Sequence, residues 1–466
     1  MGFVLSIFFF VTYYLTPVAL FGPLASYHIQ SVLAILLLFV SLPKLPGSII
    51  LKTPQTIALI GLATACFLSV LFGLHWAWGA AQQLIAFLPN LGFGYLLVCL
   101  HFNSKRRLQF LVLMLLFICF VVIAHGGIEM LRGLPESGQS FSATAESVDQ
   151  EAWLKQHPYL FPMRSDAGDW FVRLRGQGVI GDPNDFAQLL VCVAPLTFFF
   201  WRAGKTFQNV AIVVLPVCVL LFGVYLTHSR GALLALTMVA IVAARRRIGT
   251  LPALLLMSGL FVAAMALHFT GGRGISAESG ADRTELWSGS LQVLKAHPWF
   301  GIGAGSLSDY IGQTAHNSVA VCAAELGVFG FFFWSMFLFS TCRDALAIAS
   351  PGNLTEGEAI VTEDESFPQM TRQIEAVDKA EVNRLGSLVV LSLTGFLVAG
   401  WFLSRAFALT LFLLGGVAEV VYEMALQRGM IAPRKRLARV LPYSAGLAVL
   451  LLCALYLAVR VLTLMH

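Results

Sequence analysis

The stretch KRRLQFLVLMLLFICFVVIAH, residues 105–125, shows the pattern that decides the fold: a basic cluster followed by an apolar run without a charged side chain. A run of about 20 apolar residues is long enough to cross the roughly 30 Å hydrocarbon core of a bilayer as a helix. Such runs recur along the chain, and two of them flank Ser404-Arg405 closely enough to form one broken helix. We predict spans at 2–21, 29–46, 55–73, 81–100, 107–125, 184–201, 207–227, 230–244, 250–270, 316–341, 386–403, 406–424 and 441–462.

The composition agrees with this pattern. The 466 residues are 58% hydrophobic and 12% charged, whereas a soluble chain carries about 25% charged residues. The mean hydropathy is +0.80, and the apolar runs are much longer than the short alternating strands of a β-barrel. We therefore predict an all-α, polytopic integral membrane protein with about 12–13 transmembrane helices. The net charge of +5 does not indicate nucleic-acid binding, and the eight cysteines lie in or beside apolar segments, so no disulfide framework is expected.

The distribution of Lys and Arg predicts the orientation. Short cytoplasmic loops retain positive charge. With the N-terminus in the cytoplasm, every basic cluster falls on the cytoplasmic side, including Lys105-Arg106-Arg107, Arg245-Arg246-Arg247 and Arg434-Lys435-Arg436. The same threading leaves two long loops outside, from His125 to Asp182 and from Thr270 to Ala315.

The predicted spans and loops divide the chain into five regions. The last region contains an acidic segment between two of its spans, on the cytoplasmic side. We expect this segment to be a solvated linker. We also expect Glu419 and Glu423 to be solvated, because they lie near a predicted cytoplasmic helix end. The regions are the N-terminal transmembrane helices (1–125), a first large outer loop (126–183), central transmembrane helices (184–270), a second large outer loop (271–315) and C-terminal transmembrane helices (316–466) with the acidic cytoplasmic loop 343–385.

Both outer loops mix aromatic residues with arginine, as in Trp153 and Arg175 of the first loop and Trp287 and Arg283 of the second. Loops longer than about 15 residues tend to be functional. Aromatic rings stack on sugar faces, and guanidinium groups bind phosphate in a bidentate manner, so this mixture predicts a sugar and phosphate site. The alternative is that the loops lie at the lipid headgroups, where the same residue types gather.

The most informative motif begins at His316-Asn317, at the start of a predicted span. Nine residues follow, from Ser318 to Leu326, and then come Gly327 and Gly330. A near-neutral imidazole can accept a proton from an attacking hydroxyl, and glycines one turn apart let another helix approach closely. An interfacial histidine beside a packing motif is the alternative interpretation.

The chain resembles the O-antigen ligase family through this histidine, the following Asn, the nine-residue gap, both glycines and the late outer loop. The resemblance implies transfer of a glycan from undecaprenyl diphosphate to a lipid A-core oligosaccharide, at the periplasmic face of the bacterial inner membrane. It also implies that His316 is the catalytic residue and that outer-face arginines bind the diphosphate. Asn317, Gly327 and Gly330 would support the site.

Arg283 is the first candidate for the diphosphate. It begins an Arg-x-x-x-Trp sequence that ends at Trp287, upstream of a His-Pro-x-x-Gly-x-Gly-x-Gly turn at 297–305, and both features resemble this superfamily. The glycines predict a tight turn whose backbone can approach a substrate. Trp287 is therefore taken as a supporting residue.

Arg230 and Arg175 are the second and third candidates. Arg230 lies between two apolar spans, where an arginine is costly unless it is paired or functional; snorkelling to the interface is the alternative. Arg175 precedes Asp182-Pro183, which predicts a helix N-cap followed by proline at the first helical position. That helix N-terminus favours an anion.

Glu325 lies deep in a predicted span, and we expect it to form a structural ion pair. The chain contains no Asp-x-Asp sequence and no histidines at metal-ligand spacing. We therefore predict a transfer without a metal ion or other cofactor. Attack opposite the leaving diphosphate would make this transfer inverting. The expected partners are the lipid-linked donor, the lipid A-core acceptor and membrane lipids.

Three alternatives remain at this point. An O-antigen polymerase or a protein O-oligosaccharyltransferase would use the same donor with a different acceptor. A transporter or flippase is a different class, and it would show internal repeats and paired charges near the bilayer midplane. No internal repeat is visible in the sequence.

Overall fold

A computed structural model describes residues 1–16, 28–46, 48–132, 153–154, 156–164, 170–266, 269, 277–350, 352, 368–434 and 437–465. Parts of both predicted outer loops and of the acidic loop lie outside these residues. Helices dominate the described chain. They are α1 (Gly2–Leu15), α2 (Ile29–Ser41), α3 (Pro54–Gly73), α4 (Ala77–Leu88), α5 (Lys105–Leu131), α6 (Pro183–Leu196), α7 (Leu215–Thr227), α8 (Arg230–Ile248), α9 (Thr250–Ala266), α10 (Ala277–Ala296), α11 (Leu307–Ile311), α12 (Ser318–Ala349), α13 (Pro368–Gly400), α14 (Leu409–Gln427) and α15 (Val440–Met465).

Two helices are extended by π-helical turns. The π-helical segment Pro89–Leu97 continues α4 towards Val98–His101, and Val210–Val214 leads into α7. Each predicted apolar span overlaps one of the helices of the described chain. Nine helical segments of the described chain are long and apolar enough to cross a membrane, and three more apolar helices are shorter. The protein is therefore an all-α, multi-pass membrane protein, as predicted.

Both long loops contain secondary structure that was not predicted. Strands β1 (Leu160–Arg164) and β2 (Trp170–Leu174) form an antiparallel hairpin in the first long loop, with Leu160 opposite Leu174. The second long loop contains α10, a 20-residue helix. Because its sequence is mainly polar, α10 does not produce the apolar run on which the prediction of helices depended.

The helices form two compact units. The first comprises residues 1–40, 109–276 and 394–399. In it, the buried guanidinium of Arg173 on β2 donates to the Thr227 carbonyl (2.8 Å) and to Asn184 Oδ1 (2.8 Å). The hairpin is thereby tied to the C-terminal end of α7 and to the first turn of α6.

The second unit comprises residues 41–108, 277–393 and 400–466, with α12 largely buried in it. Neighbouring helices approach α12 at glycines: a Cβ on Gly61 of α3 would overlap the Phe333 ring, and one on Gly415 of α14 would overlap the Phe337 ring. Gly330 of α12 in turn lies against Ala65 of α3. Small residues at these crossings let the helices pack closely, as expected for Gly330.

The C-terminal half of α12 extends beyond the predicted span. The helix runs to Ala349, and α13 begins at Pro368. Both ends of the predicted acidic loop are therefore helical, and its centre at 353–367 lies outside the described residues. Asp344 is only 1% exposed, so the expectation of a solvated segment is wrong at this position.

Candidate functional site

The N-terminal end of α12 carries the predicted histidine. His316 is exposed and has a left-handed backbone, with φ of 48°. The next residue, Asn317, is fully buried, and its Oδ1 accepts hydrogen bonds from Val319 N (2.9 Å) and Ala320 N (3.0 Å). Asn317 is therefore the N-cap of α12, which satisfies two amides at the start of the helix. The exposed histidine therefore directly precedes a capped helix end.

The backbone on both sides of the histidine is held by hydrogen bonds. Trp287 Nε1 donates to the carbonyl oxygen of Ala315 at 2.9 Å, and the His316 amide donates to Ser404 Oγ at 2.9 Å. Ser318 Oγ donates to the Leu403 carbonyl at 2.7 Å. The sequence indicated Trp287, but it did not indicate Ser404. The only signal for Ser404 was a polar pair that interrupts an apolar run.

Arg283 and Trp287 lie one turn apart on α10, and both contact the segment that follows α13. The guanidinium carbon of Arg283 is 5.6 Å from the centre of the Phe402 ring, within cation–π range. Trp287 is buried, and its ring packs edge-on against Trp401 at 6.3 Å. Residues 401–408 connect α13 to α14, and we call them the 401–408 connection. His316, Arg283 and Trp287 all contact this connection, so one unit brings these three predicted residues together.

Arg230 and Arg175 lie in the other unit. Arg230 is the first residue of α8, just after the N-cap Ser229, whose side chain accepts from Ala232 N. Arg175 follows β2, and its Nε donates to the Pro158 carbonyl at 3.2 Å. Burial lowers the pKa of the Arg175 guanidinium, and the charge of Asp182 partly offsets this shift. Arg175 nevertheless remains a cation at neutral pH, because arginine does not deprotonate in proteins.

The predicted cap of α6 is present. Asp182 Oδ1 accepts from Asn184 N at 2.7 Å, and Pro183 occupies the first turn. The carboxylate therefore already satisfies an amide at this helix end.

The glycine-rich turn at 297–305 packs against α12. Its three glycines, Gly301, Gly303 and Gly305, have φ of 68°, 107° and 83°. The Gly303 amide donates to the carbonyl of Glu325 (3.2 Å), and Val328 N donates to the Pro298 carbonyl (2.8 Å). Backbone groups of the turn are thus hydrogen-bonded to α12.

Gly327 makes this packing possible. Its backbone has φ of 64° and ψ of −171°, so α12 is kinked there. A Cβ at this position would lie 2.4 Å from the Trp299 carbonyl oxygen. Sequence reasoning expected Gly327 to admit a neighbouring helix; instead it admits the backbone of the glycine-rich turn.

The expectation of an ion pair at Glu325 is wrong. Glu325 is 5% exposed, and its Oε1 accepts from the Leu307 amide at 3.3 Å. The backbone of Gly305 also bonds the carboxylate. Glu325 therefore binds the end of the glycine-rich turn and the start of α11, because a buried carboxylate needs donors and backbone amides supply them here.

The expectation that Glu419 is solvated is also wrong. Glu419 is 3% exposed, and its Oε2 lies 2.6 Å from Arg434 Nη2. Arg434 Nε lies 3.0 Å from Asp344 Oδ2, and Gln55 Nε2 donates to the same oxygen at 2.7 Å. Although burial disfavours the cation, these two carboxylates raise the pKa of Arg434. We call Asp344, Glu419 and Arg434 the ion triad.

The fold defines a class, that of a multi-pass α-helical membrane protein. In this protein an exposed histidine stands at a capped helix end, and the histidine and an arginine both contact the 401–408 connection. Within that class, residues 214–335 match the sequence model of the family described as O-antigen ligase. The match includes Arg230, Arg283, Trp287, His316 and both motif glycines, but not Arg175. A comparison with curated proteins returned no matching relative. Among the described residues, no group of three or more His, Cys, Asp or Glu side chains could hold a metal ion.

Proposed function

We propose that this protein is an O-antigen ligase, a glycosyltransferase that moves a glycan from undecaprenyl diphosphate to a sugar hydroxyl of a lipid A-core oligosaccharide. The observation that carries the proposal is His316, exposed on a hydrogen-bonded backbone and attached to the connection that Arg283 also contacts. The family match spans both residues. The proposal needs no nucleotide and no metal ion, because a lipid diphosphate is already a leaving group.

In the proposed reaction, His316 accepts the proton of the acceptor hydroxyl as its oxygen attacks the anomeric carbon. A new carbon–oxygen bond forms to the acceptor while the bond to the diphosphate oxygen breaks. The electron pair leaves with undecaprenyl diphosphate, whose negative charge Arg283 stabilises, with Arg230 and Arg175 as further candidates. Attack opposite the leaving group inverts the anomeric centre.

The proposed location is the bacterial inner membrane, with the N-terminus in the cytoplasm and His316 at the periplasmic face. The distribution of basic residues supports this orientation. Lys105 begins α5, and Arg245-Arg246-Arg247 end α8, which agrees with retention of positive charge on the cytoplasmic side.

The test is complementation of a Gram-negative strain that lacks its ligase and carries the matching core. Wild type is expected to attach polymeric glycan to lipid A-core, and His316→Ala is expected to lose about 10²- to 10⁴-fold in transfer rate. His75→Ala is the matched control, because His75 is also exposed and left-handed, with φ of 52°, in the same unit. It is expected to transfer normally. Normal transfer by His316→Ala at equal expression would contradict the role of this histidine.

The product also separates the alternatives. Longer lipid-linked glycan without glycan on the core would indicate a polymerase, and glycan on protein would indicate an O-oligosaccharyltransferase. Purified wild type that forms no glycosidic bond from lipid-linked glycan and acceptor would favour a transporter or flippase.

A further inference from the structure

The backbone conformation of His316 has to be held by its surroundings. A positive φ at a residue with a side chain is sterically unfavourable, and it persists where neighbouring contacts over-determine it. The φ of 48° at His316 directly precedes the capped start of α12. The contacts that hold this residue therefore decide the direction in which the imidazole leaves the helix end.

Two short segments, 316–318 and 403–405, hold each other through reciprocal serine hydrogen bonds. The His316 amide donates to Ser404 Oγ (2.9 Å), and Ser318 Oγ donates to the Leu403 carbonyl (2.7 Å). The amide of Arg405 in turn donates to Ser318 Oγ at 3.0 Å. We call this arrangement the serine clasp. Both segments belong to one compact unit.

The two serines differ in what they contact. Ser318 is 4% exposed, and it bonds only backbone groups of the 401–408 connection. Ser404 is half-buried, and its hydroxyl accepts the amide hydrogen of the histidine itself. Ser404 is 88 residues from His316 in the sequence, so its contact with the histidine is a product of the tertiary fold.

We propose that Ser404 is a positioning residue for the glycosyl transfer: its hydroxyl fixes the left-handed backbone of His316 and so aims the imidazole at the acceptor hydroxyl. This inference rests on the proposed function. General-base catalysis requires the base to lie within hydrogen-bond reach of the proton that it removes. A displacement of about 1 Å can lower a rate by about 100-fold even when substrate still binds.

The first measurement follows the hydrogen bond itself, independently of any reaction. We expect slow amide hydrogen exchange at His316 in the purified full-length protein, faster exchange in Ser404→Ala and slow exchange again in Ser404→Thr, which keeps the hydroxyl. Ser335→Ala is the control, because Ser335 is a fully buried serine of the same unit whose hydroxyl has no hydrogen-bond partner among the described residues. Exchange that does not respond to Ser404→Ala overturns the clasp.

The second measurement follows steady-state transfer from a lipid-linked glycan to lipid A-core in detergent. Ser404→Ala is expected to lower kcat by about 10- to 100-fold while the KM for the donor stays unchanged. Ser404→Thr should recover most of the rate, and Ser335→Ala should match wild type. In a His316→Ala background, Ser404→Ala should cause no further loss, because its effect passes through the histidine.

The results distinguish a failure of the proposed function from a failure of the role assigned to Ser404. Wild type that forms no glycosidic product overturns the proposed function, and the role of Ser404 falls with it. Active wild type with unchanged kcat in Ser404→Ala overturns the positioning role alone. A rise in donor KM without a fall in kcat also overturns it, since the serine would then act on binding.

Discussion

The two ends of α12 are held by different kinds of interaction. At the N-terminal end, neutral hydrogen bonds that Asn317 Oδ1 accepts and Ser318 Oγ donates fix the backbone next to an exposed histidine. At the C-terminal end, the ion triad joins Asp344 of α12 to Arg434 and Glu419, all largely removed from solvent. A buried ion pair is costly to break because the remaining charge has no partner. Neutral hydrogen bonds each contribute less, but their directionality orients a reactive group.

This difference predicts that substitutions at the C-terminal end reduce stability most, whereas those at the N-terminal end reduce activity most. The largest loss of stability is expected for Arg434→Ala. Glu419 would be left buried without a cation, and Asp344 would keep only the partly exposed Arg343. The free energy of unfolding should therefore fall by about 3–5 kcal/mol. Thermal or denaturant unfolding of the detergent-purified protein measures this change.

Arg428→Ala is the control for that prediction, because Arg428 is an exposed arginine six residues upstream of Arg434. It should change the stability little. Neutralising both carboxylates in the Arg434→Ala background, with Asp344→Asn and Glu419→Gln, should recover part of the loss. If Arg434→Ala is no less stable than Arg428→Ala, the ion triad does not anchor α12.

The second-largest effect is expected at the kink between the two ends. Gly327→Ala would place a side chain in a backbone region that is essentially restricted to glycine, at a cost of about 1–3 kcal/mol. The new Cβ would also displace the Trp299 carbonyl. Unfolding measurements should compare it with Gly446→Ala, a helical glycine with open space around its Cβ position, which should be neutral or stabilising. Equal stability of the two variants would contradict the strain assigned to the kink.

The third prediction concerns the cap at the N-terminal end. Asn317→Ala should lower the free energy of unfolding by about 1 kcal/mol, because two amides of α12 lose their acceptor. Asn317→Ser should retain most of the stability, since serine is also an N-cap and Asn317 Nδ2 has no hydrogen-bond partner to lose in the part of the chain that the structure describes. Equal losses in both variants would show that volume, rather than capping, decides the stability at this site.

Sequence reasoning succeeded where the determining interactions are local. The apolar runs located the helices because span length and hydropathy are properties of consecutive residues. Asp182-Pro183 predicted the start of α6 because the cap contacts an amide only two residues away. The motif at His316 likewise marked the start of a span.

The remaining features depend on contacts between distant residues. Ser404 bonds a residue 88 positions away, and Arg434 bonds one 90 positions away. Neither contact leaves a periodic pattern in the sequence. Glu325 was misjudged because an ion pair was assumed to be the partner of a buried carboxylate, whereas backbone amides are its partners here. The sequence likewise predicted the glycine-rich turn but not the backbone hydrogen bonds that join it to α12.

The smallest effect is expected for Arg343→Ala. Arg343 is a second arginine beside Asp344, so this variant tests whether Arg434 contributes most of the stability at the C-terminal end of α12. Arg343 contacts Asp344 Oδ1 at 2.6 Å, but its side chain is 28% exposed and solvent screens the pair. Asp344 would keep Arg434 and Gln55, so unfolding measurements should show a loss of only about 0.2–1 kcal/mol. In the Arg434→Ala background the same substitution removes the last cation beside Asp344 and should cost more than it does alone. Equal losses in the two backgrounds would mean that Arg343 and Arg434 stabilise the protein independently. The two arginines would then not be coupled through Asp344.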